Sequence, residues 1–164
     1  MDNIINNSYD LPFGESIIKK SLPGVQVILY EDLKHMRSVD DLFDQSNAIV
    51  ILYQIKQKIG HWVCLLRKKR HIEFFDSYGL SPDEQLKYAR FNRTPYLSEL
   101  LRGRKVIYNK MPLQEEGYNM STCGRWVVMR ILMSFMSLEE FLKLFTNQTF
   151  IPDYYVTILT LFFV

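Results

Sequence analysis

Between residues 48 and 79, apolar positions crowd into three short runs, AIVILYQI (48–55), HWVCLLR (61–67) and HIEFFDSYG (71–79), separated by KQKIG and a lysine-rich turn. Their β-branched and aromatic content and their length predict three strands, and the short connections make a meander the simplest topology. GVQVILY (24–30) reads as a further extended segment, KVIYN (105–109) as another strand, and SVDDLFDQ (38–45) as a helix start capped by Ser38 or Asp40. Beyond residue 79 helix formers take over, with PDEQLKYARF and TPYLSELLR each predicted to begin a helix at a proline. From Cys123 to Met136 the chain is apolar nearly all round, interrupted by Arg125, Arg130 and Ser134, which predicts a helix at the buried centre of the fold. Ser137 and Glu140 form a capping-box pattern ahead of a further helix, and Pro152 opens the last one. Strands in the middle with helices around them make an α+β fold, and 164 residues suit a single domain over 1–164.

Composition narrows the possibilities. Hydrophobic residues make up 48% and aromatics 14%, enough for one substantial core, and no stretch has the composition of a linker. A net charge of +2 does not argue for nucleic acid, and the basic clusters RKKR (67–70) and RGRK (102–105) read as solvated turns. The N-terminus lacks the basic-then-apolar pattern of a secretory signal, and YYVTILTLFFV has about half the length of a membrane span. These features predict a soluble protein from a reducing compartment, with Cys64 and Cys123 as thiols.

Candidate chemistry gathers at three places. A hairpin loop of two or four residues centred on Lys68 and Lys69 would put Leu65 opposite Ile72, Val63 opposite Phe74 and His61 opposite Asp76, bringing an imidazole beside a carboxylate. An exposed surface pair at the hairpin end is the competing reading of that contact. In NMSTCG, Ser121 or Thr122 can cap the central helix and leave Cys123 at its positive end, an environment that favours thiolates, while Gly124 permits close approach of a substrate backbone. A cysteine at a helix start can equally be an inert thiol; the His/Asp pair makes the nucleophile reading its equal. Cys64, mid-strand with Trp62 and Leu66, reads as buried, His71 as structural, and His35 carries no signal. An acyl-transfer site also needs donors for an oxyanion, and Gln114 and Asn119 are the amides ahead of Cys123.

The elements GHW, FFDSYG, LQ and STCG, in the order His, Asp, Gln, Cys, resemble the adenain-like cysteine proteases: the adenovirus maturation protease, its relatives in virophages, polinton-type elements and large DNA viruses, and the SUMO-specific proteases. The resemblance spans His61 to about Phe135. It implies a papain-like fold in permuted order, a central mixed or antiparallel sheet with helices packed around a buried helix that starts at the nucleophile. By position it implies Cys123 as nucleophile, His61 as general base, Asp76 as its orienting carboxylate, Gln114 as oxyanion donor and Trp62 as a wall of the substrate cleft. One departure is visible: eight residues separate Gln114 from Cys123, a longer interval than in those relatives, so the segment must bulge or Asn119 supplies the amide. The activity implied is peptide hydrolysis by a monomeric catalytic core without metal or organic cofactor. Its substrates would be viral capsid and structural precursors cut after Gly or Ala during maturation, in virions and the infected-cell cytoplasm, with a peptide or DNA as an activator. The alternatives are a protease that removes ubiquitin-like modifiers and a non-enzymatic binding module, in which Cys123 would be no more reactive than Cys64.

Overall fold

The longest strand pairing, β2 (Ala48–Lys56) with β3 (Ile59–Arg67), is antiparallel and forms the middle of a five-stranded sheet. In the computed structural model, which describes residues 13–56, 59–88, 93–115, 121–146 and 148–163, the strand order is β1-β2-β3-β4-β5. Here β1 is Gln26–Leu29, β4 Ile72–Phe75 and β5 Val106–Tyr108. The three central strands are the expected meander, and the two edge strands join it in parallel, β1 on β2 and β5 on β4. The sheet is therefore mixed and the fold α+β.

Both faces of the sheet are covered, which explains why β4 is buried at every position. Val50, Leu52, Trp62, Cys64, Leu66 and Phe75 point to one face, packed with helices α1 (Glu15–Ser21), α3 (Cys123–Leu132), α4 (Leu138–Thr146) and α5 (Pro152–Thr160). Ile49, Ile51, Val63, Leu65 and Phe74 point to the other, against 3₁₀ turns at Tyr30–His35 and Val39–Phe43 and the short helix α2 (Tyr96–Leu100). As expected, α3 is the buried centre: Trp126, Val127 and Val128 are wholly enclosed.

The two arginines of α3 are enclosed as well. Arg130 forms a two-point ion pair with Glu73 of β4, at 2.6 and 2.9 Å, so each charge has its partner inside the core. The same guanidinium donates to the carbonyls of Met133 and Met136, and α3 stops at Leu132 instead of Met136, leaving Phe135 82% exposed. Ser137 and Glu140 make the expected reciprocal cap of α4, and Pro152 is the first residue of α5. Ser38 accepts from the Asp40 N–H as a cap, but the capped element is a short 3₁₀ stretch and not an α-helix. PDEQLKYARF likewise yields a 3₁₀ turn, Glu84–Tyr88. Asp83 sits at φ 66°, and its carboxylate is held by the hydroxyls of Tyr30 and Tyr53 and the N–H of Ser98, so side-chain ties override helix propensity there.

The β3–β4 register corrects one expectation. Arg67 pairs with Ile72, Leu65 with Phe74 and Cys64 with Phe75, two residues from the predicted alignment. The turn spans Lys68 to His71, closed by the Lys68 N–H to the His71 carbonyl at 3.0 Å, and its centre lies beyond the two lysines. Asp76 is thus one residue past the end of β4 and not opposite His61. A slip of two preserves which face each residue occupies, because the strand period is two.

Candidate active site

His61 and Asp76 meet nonetheless. Extended beyond Phe75, the observed register carries Asp76 to the same face as His61 and one pleat away, and the imidazole Nε2 lies 2.8 Å from Asp76 Oδ1. Both groups are buried, so this is no surface pair. Asp76 is itself fixed: its Oδ1 accepts from the Tyr78 N–H (2.8 Å), its Oδ2 from the Gln85 amide (3.4 Å), and its N–H donates to the side-chain carbonyl of Asn109 (3.1 Å). Asn109 returns its own amide to the Asp76 carbonyl at 2.5 Å, closing a two-way clasp with the residue just past β5.

Cys123 lines the same groove as the ring, and its sulfur acts on the imidazole from there. Burial opposes charge on the imidazole, but the Asp76 carboxylate, through charge and hydrogen bond, and then the Cys123 sulfur more than offset it, pushing the pKa up to about 10. The shift therefore favours the imidazolium form at neutral pH. A pKa raised from 6.5 to about 10 means that the ion-pair contribution to stability is complete below pH 6.5, fades above it and is lost as pH rises through 10. Hydrolysis that needs this proton should keep its alkaline limb near pH 10 in a kcat/KM profile, and Asp76→Asn should bring the limb down; a wild-type limb near 6.5 would remove the coupling.

The turn after β4 supplies three more pieces. Asp76 to Gly79 is closed by the Gly79 N–H to the Asp76 carbonyl at 2.8 Å, with Gly79 at φ 72°, where a Cβ would strike the Met111–Pro112 backbone. Within it, Tyr78 stacks on the His61 ring with centroids 4.7 Å apart and planes 22° from parallel. The Ser77 hydroxyl donates to Gln114 Oε1 at 2.7 Å, and the Ser77 carbonyl accepts the backbone N–H groups of Leu113 and Gln114. Holding the carbonyl end of the amide in this way turns its NH₂ toward Tyr78, whose hydroxyl accepts it at 3.2 Å. One four-residue turn thus orients the imidazole and the glutamine together.

His61, Gln114 and Cys123 line a single groove of about 1230 Å³, whose walls include Trp62, Leu52, Leu29 and Leu80. Trp62 also packs into the core beside Cys64, with 8% of its surface left exposed. Cys123 is partly exposed; Cys64 is fully buried, and burial pushes its thiol well above the ordinary range.

Known proteins resemble the chain in sequence and in fold. Protein V9 of Sputnik virophage is 35% identical over 150 residues, covering 83% of this chain and 86% of V9. The chain belongs to the V9 family. No family model matches the sequence. Among solved structures the chain is similar to the central domain of Lpg1148 from Legionella pneumophila (16% identity, 91% of this chain and 93% of that one, TM-score 0.46). It is also similar to the Chlamydia trachomatis effector Cdu1 bound to ubiquitin (13%, 99% and 77%, TM-score 0.46) and to the SUMO protease Ulp1 (17%, 99% and 77%, TM-score 0.37).

Two expectations for this site change on contact with the structure. The close approach at Gly124 is made by the chain itself: a Cβ there would lie 2.4 Å from the Phe13 carbonyl oxygen, so glycine is required for packing and not for a substrate. Thr122 precedes the first turn of α3 but makes no side-chain cap; its hydroxyl donates to Asp153 at 2.5 Å. Asn119 lies outside the described residues; Gln114 lines the groove, as do Gln54 and Gln85. Sequence reasoning missed Ser77, Tyr78, Gln85 and Asn109. The first two adjoin Asp76 and could have been flagged as neighbours of a candidate, whereas Gln85 and Asn109 reach it only through the fold.

Proposed function

We propose that the chain is a cysteine endopeptidase with Cys123 as nucleophile, His61 as acid and base, Asp76 as the carboxylate that orients it, and Gln114 as oxyanion donor. The observation that carries this reading is the His61 ring bonded to a buried carboxylate and lining one groove with a partly exposed thiol at a helix start. The Cys123 thiolate attacks the scissile carbonyl carbon, and the oxyanion formed is met by the N–H groups at the start of α3 and the Gln114 amide. The C–N bond then breaks as His61 gives its Nδ1 proton to the departing amine. Water attacks the thioester while neutral His61 takes its proton, the C–S bond breaks, and thiolate, imidazolium and a carboxylic acid product remain.

The groove wall at Trp62 supports specificity for small residues beside the scissile bond. With a relative encoded by a virophage, the substrates proposed are structural precursors of a virus-like particle, cut after Gly or Ala in extended segments, inside particles and the infected-cell cytoplasm. Profiling on a peptide library tests this. Cleavage after Gly or Ala, lost when Phe or Leu takes that position and regained in Trp62→Ala, is expected. Efficient trimming of a ubiquitin-like fusion without cleavage of particle proteins would replace it with deconjugation.

A further inference from the structure

The acidic side chain of Asp153 is completely buried on α5, yet its bonds to the described residues reach back to the segment that carries the candidate active site. Oδ2 accepts the Glu115 N–H at 2.8 Å, and Oδ1 accepts the Thr122 hydroxyl at 2.5 Å and the Trp126 indole N–H at 2.8 Å. Glu115 directly follows Gln114, and Thr122 directly precedes Cys123. The two oxygens of one carboxylate therefore hold the neighbour of the oxyanion amide and the neighbour of the thiol within a few ångströms of each other, across an eight-residue interval. Burying a carboxylate is costly, and a core-facing position on α5 asks only for an apolar residue. Thr122 also gives up a helix cap to make this bond.

We propose that Asp153 is a positioning residue for both halves of the active site, a clamp that ties Glu115 to Thr122 and so fixes the distance between the Gln114 amide and the Cys123 thiol. Trp126 anchors the carboxylate to the first turns of α3, so the clamp moves with the nucleophile. The inference rests on the protease reading for its catalytic consequence but not for its geometry. In Asp153→Asn one oxygen becomes a donor and faces either the Glu115 N–H or the Thr122 and Trp126 donors, so one side of the clamp opens.

The experiment compares wild type, Asp153→Asn, Thr122→Val and Thr122→Ser in kcat and KM on a Gly-containing peptide, and in the rate of Cys123 alkylation by iodoacetamide, at a temperature where circular dichroism shows each folded. A thiol and amide displaced by about an ångström predict a fall in kcat of roughly tenfold to a hundredfold in Asp153→Asn and Thr122→Val, with KM within about threefold. Thr122→Ser, which keeps the hydroxyl, should restore kcat to within about twofold of wild type, a rescue that a loss of packing alone would not show. If Asp153→Asn does not fold, the valine and serine pair at Thr122 decides. An active wild type whose Thr122→Val variant matches it in kcat and alkylation overturns the clamp. A wild type without peptidase activity overturns the protease reading instead, and the clamp then stands or falls on whether Thr122→Val changes the alkylation rate while Thr122→Ser leaves it as it was.

Discussion

Cys123→Ala and His61→Ala should each lower peptide hydrolysis by roughly four to six orders of magnitude, while Asp76→Asn retains measurable turnover. In the proposed reaction the first two supply an atom that forms a bond to the substrate or moves a proton. There Asp76 only orients, and the contacts around it show why an asparagine can partly stand in. The His61 and Tyr78 donors both use Oδ1, so an amide placed with its oxygen there loses only the long 3.4 Å contact from Gln85 at Oδ2. Tyr78 stacked on the ring is a second support that the substitution leaves in place. Gln114→Ala should fall between these, about a hundredfold to a thousandfold down, the cost of deleting one oxyanion donor. Purified variants assayed on one peptide, with Tm recorded for each, check the series. Equal losses for all four would point to a common folding defect, and a silent Gln114→Ala would return the oxyanion role to Asn119.

The parts of this site that lie close in sequence were legible, and those made by tertiary contact were not. Alternating and continuous apolar runs identified the meander, and the polar-to-apolar switch at STCG marked where α3 begins. The hairpin register slipped by two because charged turn residues carry no strong turn chemistry, and only the observed Lys68 to His71 closure fixes the loop. Since a slip of two keeps the faces, His61 and Asp76 still met, by a diagonal in place of a direct pair. Asp153 shows the opposite limit. Its spacing from Thr122 is set by two helices and the connections after them, and nothing in IPDYYV distinguishes a buried clamp from an acidic residue in the first turn of a helix, the ordinary place for one.

The two thiols of this chain give a test of the site that needs no substrate. At neutral pH iodoacetamide should modify Cys123 at least about a thousandfold faster than Cys64, because alkylation requires both access and thiolate. Cys123 lines the groove together with His61, whose imidazole Asp76 holds toward its charged form. Cys64 sits in mid-strand between Trp62 and Leu66 with none of its surface exposed, and burial holds it protonated, so it reacts only when the sheet opens. The contrast should shrink in His61→Ala, which removes the cation beside Cys123 and does nothing to Cys64, and it should vanish in denaturant, where both thiols are equivalent. Peptide mapping after brief labelling reads all three. Equal rates in the native protein, or labelling of Cys64 first, would make Cys123 an ordinary thiol at a helix start and turn the fold into a binding module. Fast labelling of Cys123 that is indifferent to His61 would keep the exposed thiol but sever it from the imidazole, and with that the acid and base on which the proposed hydrolysis depends.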